Sequence, residues 1–325
     1  MSAESETDPP PGKLRGLSPL PFWRTLSGST RGILIMVLST VAFSSMHATV
    51  RHVSAELHPI QISFFRNLFG FVAFLPLIWM HGFGFMRTQR LPLHMLRAIL
   101  NVIAMFACFI SLSITPLARV NAISFSAPLF TAVLAVLFLG ERFHIRRWTA
   151  IVLGFLGTIV ILRPGMAEVD AGSLLALGAA AIWGVTMIVI KLLVRTESSV
   201  TITGYMCLLM SLLSFFPALY VWRAPTVEAW MWLLFIGVAG TIAQTGLAEA
   251  LRQTEATVVL PFDFLKLVWA IMLGFLLFME IPDIFTVVGA LVIFGASFYL
   301  VWRESRVRSD PPKPEAMADI RTPPA

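Results

Sequence analysis

Arg66 and Asn67 stand inside the stretch ISFFRNLFGF (62–71), otherwise built almost wholly of Phe, Ile and Leu. A guanidinium in such a run can fork its N–H donors onto a carboxylate or phosphate. It can also snorkel its head toward the nearer interface, with its stem on apolar surface. Asn67 turns about 100° away and joins a binding role only where a cavity wraps that side. A second charged site lies in PFDFLKLVWA (261–270), where Asp263 and Lys266 are three residues apart and share a helix face. Such a pair serves either as a structural ion pair or as a substrate contact with a proton-sensitive carboxylate. Pro261 removes a backbone donor and frees the carbonyl of Thr257, so a bend is expected beside these ions.

Other polar or aromatic residues fall in apolar runs. His47 can shuttle protons or act as a satisfied structural donor. Asn101, Asn121 and Gln244 can line a cavity or bond across helices. Phe43, Trp183 and Trp269 can stack on a flat or cationic solute, or pack. Glu249 reads as interfacial, and Glu141 and Glu280, at span ends, as cap or loop contacts. Cys108 and Cys207 have no neighbours at metal-ligand spacing and read as small buried residues.

The elements that position these residues follow from the solvent. The chain has 325 residues, 57% of them hydrophobic and only 13% charged, with a mean hydropathy of +0.82. A water-soluble domain carries about 25% charged residues. The apolar residues come in continuous runs of about 18–24, each long enough to cross roughly 30 Å of hydrocarbon as a helix. Continuous runs rather than alternating ones exclude a barrel. The expectation is an all-α membrane protein with ten spans near 31–50, 59–80, 97–115, 119–139, 148–164, 172–192, 199–221, 228–250, 256–279 and 282–302. The Pro-rich segments 1–30 and 304–325 are expected to be disordered tails, and no cleavable signal peptide is visible.

An even number of spans puts both tails on one side. Of the 24 Lys and Arg residues, 18 fall on that side and four on the other, with Arg66 and Lys266 inside spans. The positive-inside rule then predicts cytoplasmic termini in a plasma (bacterial inner) membrane. The net charge of +6 reflects this bias and points away from nucleic acid.

The two halves repeat. Phe43 matches Trp183 and Arg51 matches Lys191 at an offset of 140; Pro76 matches Pro217 at 141; Glu141 matches Glu280 at 139. Five spans per copy is odd, so the second copy enters from the opposite face. This gives two inverted five-helix repeats, 31–164 and 170–303. Inverted repeats are a common build for secondary transporters, with the solute site near mid-membrane between them.

Two stretches carry a family resemblance. VNAISFSAPLFTAVLAVLFLGERF (120–143) and EATVVLPFDFLKLVWAIMLGFLLFMEIP (255–282) resemble the fourth span and its repeat in the EamA type of the drug/metabolite transporter superfamily. The likeness covers about 31–303. Met279 departs from it by replacing the usual Gly before Glu280, and Pro261 is out of register with Pro128. The resemblance implies ten helices, cytoplasmic termini and alternating-access transport. Members export amino acids and other metabolites, or import compounds such as S-adenosylmethionine or riboflavin. FFRN and PFDFLKL look most like the S-adenosylmethionine-uptake-like group.

The resulting expectation is a secondary transporter of a small amino-acid-like or other carboxylate-bearing, amphipathic solute. Import of S-adenosylmethionine, riboflavin or a carnitine-type solute is the alternative. Its site would hold Arg66, Asn67, Asp263, Lys266, His47, Asn101, Gln244, Trp183 and Trp269. Its partners would be the solute, the lipid bilayer, and a proton or exchanged solute; a homodimer stays open. No cofactor or metal is expected. A membrane enzyme is disfavoured because no zincin, paired-Cys, Walker or nucleophile-elbow motif occurs. A channel is disfavoured because no filter segment occurs.

Overall fold

The computed structural model describes residues 28–81, 88–139, 145–162, 170–193, 196–197, 199–253, 259 and 262–309. Among these residues every regular element is an α-helix. The first repeat supplies α1 (Gly28–Val53), α2 (Pro59–His81), α3 (Leu91–Ile114), α4 (Leu117–Ser124), α5 (Ala127–Leu139) and α6 (Ile145–Leu162). The second supplies α7 (Ala171–Leu193), α8 (Ser199–Tyr220), α9 (Val227–Gln253), α10 (Leu265–Phe278) and α11 (Ile284–Ser309).

Six of the described segments are long and apolar enough to cross a bilayer, among them Thr30–Val53, Leu91–Ile114 and Val227–Leu251. Large apolar side chains that a water-facing surface would not carry, such as Leu137, Leu276 and Met231, are exposed along these helices. Acyl chains are the solvent that such faces fit. The protein is an all-α, multi-pass membrane protein.

The helices pair across the repeats with twofold logic. The first helix of each copy packs on the third of the other, α1 on α9 and α7 on α3. Second packs on second (α2 on α8), fourth on fourth (α4 on α10) and fifth on fifth (α6 on α11). Small residues permit the close crossings. A Cβ at Gly237 of α9 would collide with the Cβ of Phe69 on α2, and one at Gly157 of α6 would stand 2.9 Å from the Gly289 carbonyl of α11.

Three details differ from the sequence reading. The fourth span carries a break, with α4 stopping at Ser124 and α5 beginning at Ala127. Pro128 is the cause. It has no N–H for the Ser124 carbonyl and its ring crowds that oxygen, so Phe125 and Ser126 turn back onto the Ala122 and Ile123 carbonyls. The third span begins at Leu91, with Pro92 at its first turn, and so takes in Arg97. That residue is buried, donating from Nη1 to the Ile202 carbonyl at 3.0 Å. The last helix runs on to Ser309.

The ninth span breaks in the same place as the fourth. Phe264 lies in a turn ahead of α10, 139 residues after Phe125, and the two rings meet at 5.6 Å. Pro261 and Thr257 lie outside the described residues, so the bend expected there is not described.

α10 ends at Met279, whose φ of 54° is left-handed. This is the position where the resembling family carries Gly. A side chain there costs about 1–2 kcal/mol, partly offset by the extra freedom Gly has when unfolded. Met279→Gly is therefore expected to stabilise the fold by about 0.5–1 kcal/mol, read as a higher thermal midpoint in detergent.

Candidate functional site

The charged residues gather where α1, α2, α4, α9 and α10 meet. Lys266 extends its Nζ to Asp263 Oδ1 at 2.5 Å. The same ammonium lies 4.5 Å above the Phe43 ring of α1, a cation–π contact that supports a charge without a second carboxylate. Phe43 meets His47, one turn on, edge to face at 4.6 Å. Two bonds lock α10 onto α1 around this point. Ser44 Oγ donates to the Lys266 carbonyl at 3.0 Å, and Trp269 Nε1 donates to Thr40 Oγ1 at 3.2 Å.

His47 is tied to the broken fourth helix. Its Nδ1 is 3.2 Å from Asn121 Oδ1, while Asn121 Nδ2 donates to the Leu117 carbonyl at 2.8 Å. With its amide nitrogen turned to Leu117, Asn121 offers an oxygen, so His47 Nδ1 is the donor of this bond. His47 lies within electrostatic reach of both Lys266 and Arg66.

Arg66 approaches from the other side, half-buried on α2. It rests on a gap in α9: a Cβ at Gly240 would stand 3.1 Å from Arg66 Nε and 2.9 Å from Met46 Sδ. Nη1 donates to Asn67 Oδ1 at 3.2 Å. Asn67 in turn donates to Ser214 Oγ of α8 at 3.3 Å, so the second helices of both copies hold this arginine. Among the described residues no carboxylate pairs with Arg66. A guanidinium in an apolar bundle is costly without a charged partner, and among the described residues Arg66 has no anion.

The remaining expected residues are placed differently. Asn101 is buried on α3 and Trp183 packs half-buried against the main core cluster. Gln244 is exposed on α9, one turn beyond Gly240. None of these three bonds to the Arg66–Lys266 group among the described residues, so the structure does not join them to it. Glu249 accepts a bond from Gln253 at 2.6 Å. Glu141 lies outside the described residues.

Sequence reasoning missed the residues that hold the site, namely Thr40, Ser44, Ser214 and Gly240. Small polar residues within apolar runs were the available signal. It also missed a second charged group, at the bundle end remote from Gly28 and Ser309. There Arg51 of α1 pairs with Glu280 and covers the Phe278 ring at 5.2 Å. Arg119 of α4 bridges Asp170 at 3.1 Å and Asp283 at 2.9 Å. Glu280 Oε2 also accepts the Leu117 N–H at 3.0 Å, at the start of α4.

Asp170 illustrates how strongly this group is knit. Burial, the largest single influence, pushes its carboxyl up, but bonds from Ser173, Thr115 and Arg119 together outweigh burial and hold it at about 2, against an ordinary 3.8. A depressed carboxyl contributes stability that is full above the ordinary value and is lost as pH falls toward the folded one. The thermal-midpoint gap between the unaltered chain and Asp170→Asn should thus be constant above about pH 4 and close between about 3.8 and about 2.

Comparison with known proteins agrees with this architecture. The model of the EamA-like transporter family matches residues 30–163 and again 170–302. The chain is 30% identical over 278 residues to an S-adenosylmethionine uptake transporter of Rickettsia bellii, covering 86% of this chain and 96% of that one. It is 30% identical over 283 residues to a riboflavin transporter of Rhizobium johnstonii, covering 86% and 94%. A pseudopaline exporter of Pseudomonas aeruginosa is 26% identical, covering 83% and 95%. A crystal structure at 16% identity superposes with a TM-score of 0.59 over 86% of this chain and 99% of that one, which speaks to the fold alone. Matched in both halves, with relatives named as transporters, this chain is a membrane transporter and not an enzyme, and it belongs to the EamA-like transporter family.

Proposed function

We propose that the protein is a secondary active transporter that carries a small, carboxylate-bearing organic solute by alternating access. The solute site lies between the two copies at the broken fourth helices. The observation that carries this reading is the Arg66 guanidinium, held by Asn67 and Gly240, with no carboxylate partner among the described residues. A solute carboxylate taking the free edge of that guanidinium supplies the missing anion. Asp263 and Lys266 then meet the solute's other polar end, and Phe43 offers an aromatic face. His47 then serves as the proton carrier, through the ring nitrogen not bonded to Asn121. The coupling partner is a proton or an exchanged solute.

Within that class, S-adenosylmethionine uptake is favoured over riboflavin uptake. S-adenosylmethionine carries a carboxylate and cationic groups that suit Arg66, Asp263 and Phe43, whereas riboflavin carries no carboxylate. The charge bias of the loops supports cytoplasmic termini in a bacterial inner membrane. The test is counterflow in proteoliposomes of the full chain, preloaded with unlabelled S-adenosylmethionine, riboflavin or an amino acid. Saturable exchange of a carboxylate-bearing solute is expected; exchange of riboflavin alone would overturn the reading.

A further inference from the structure

Among the described residues, the ion pairs at the end remote from Gly28 and Ser309 join one copy to the other. The cations, Arg51 and Arg119, belong to the first repeat; the anions, Asp170, Glu280 and Asp283, belong to the second. Several further hydrogen bonds at that end cross in the same way. Thr115 Oγ1 donates to Asp170 at 2.7 Å and Ser111 Oγ to the Gly172 carbonyl at 2.7 Å. Gln61 Nε2 donates to the Arg223 carbonyl at 2.7 Å, and the Arg223 N–H returns a bond to Gln61 Oε1 at 3.0 Å. Thr226 donates to Glu56 through its N–H at 3.0 Å and its hydroxyl at 3.1 Å.

We infer that Arg51 and Arg119 are positioning residues of the transport cycle, acting as an ionic latch that closes this end of the bundle. The inference rests on the alternating-access reading above. Rocking one copy against the other to open this end separates every one of these pairs at once, so their sum sets the closed-to-open ratio. The anions are fixed in advance. Asp283 accepts the Thr286 N–H at 2.8 Å at the start of α11, and Asp170 accepts the Ser173 N–H at 2.8 Å at the start of α7. Met279, in its left-handed turn, directs Glu280 back to Arg51 and to the first N–H of α4. The anions thus stay on the second copy and the cations on the first, and the contact between them is the part that breaks.

The expected signature is conformational and needs no solute. Spin labels on cysteines at Ala55 and Ile281, both exposed and on opposite copies, are introduced with Cys108 and Cys207 replaced by Ala. Pulsed electron-resonance distances are then measured in nanodiscs. The unaltered latch gives one short distance. Glu280→Gln adds a longer population, raising the open fraction by about tenfold, and the exchanged pair Arg51→Glu with Glu280→Arg restores the single short distance. Arg119→Gln, which breaks two pairs, gives the same shift and serves where Glu280→Gln does not insert. Unchanged distances in both single variants would overturn the latch. Because no solute is present, that outcome leaves the Arg66 binding site standing, and loss of solute binding in turn leaves the latch standing.

Discussion

Arg66→Gln is expected to weaken solute binding by about 10- to 100-fold without lowering insertion or thermal stability, both of which should hold or rise. The reason is what Arg66 lacks. Its bond to Asn67 is long and goes to an uncharged amide, and no carboxylate pairs with it among the described residues. Removing the charge strands no protein anion, and it removes the roughly 2.5–3.5 kcal/mol cost of a mid-membrane cation. What disappears is a charge-assisted contact to the solute worth about 1.5–3 kcal/mol, which is the stated range of affinity. Arg66→Lys should fall between, because an ammonium keeps the charge and loses the fork. Titration calorimetry with the solute identified by counterflow is the measurement. Binding by Arg66→Gln within twofold of the unaltered chain would remove Arg66 from the site.

Lys266→Ala is expected to act on both stability and transport, and the double variant separates the two. Asp263 has Lys266 as its ion-pair partner, and both side chains are largely buried, at 24% and 14% exposure. Losing Lys266 strands a carboxylate beside the Phe43 face, at a cost of about 3 kcal/mol. Asp263→Asn with Lys266→Met removes both charges and should recover most of that stability. If the pair contacts the solute, counterflow stays abolished in the double variant although its thermal midpoint returns. If counterflow returns with the midpoint, the pair is structural and the solute is bound by Arg66 alone.

Much of this was legible in the sequence because a bilayer leaves few choices. Runs of about twenty apolar residues must be helices, and an offset near 140 between Phe43 and Trp183 or Glu141 and Glu280 marks two copies. Arg66 and Lys266 stood out because an intramembrane charge is costly and therefore conspicuous. The residues that arrange them did not. Gly240 matters for a side chain it lacks, and Ser44 and Ser214 matter for bonds to partners more than 140 residues away. The split in the fourth span was carried by Pro128, yet apolar residues on both sides of it read as one run. Arg51 and Glu280 looked like ordinary span-end charges, since sequence gives no sign that two ends 229 residues apart face one another.

The Phe125–Phe264 contact puts the approximate dyad of the molecule through two rings, one from each copy. In the alternating-access cycle proposed above, identical copies would make the states open to either face equal in energy, and the resting protein would divide itself between them. The two copies are not identical in sequence: Phe43 corresponds to Trp183, and Arg51 to Lys191. Whatever free energy these differences introduce biases where the empty carrier waits. In such a cycle it cannot bias where the cargo accumulates, because both faces would be visited in every turnover and only the gradients would differ between them. Evolution of this chain could therefore retune its waiting state, by single substitutions at one end, without reversing the direction of its traffic.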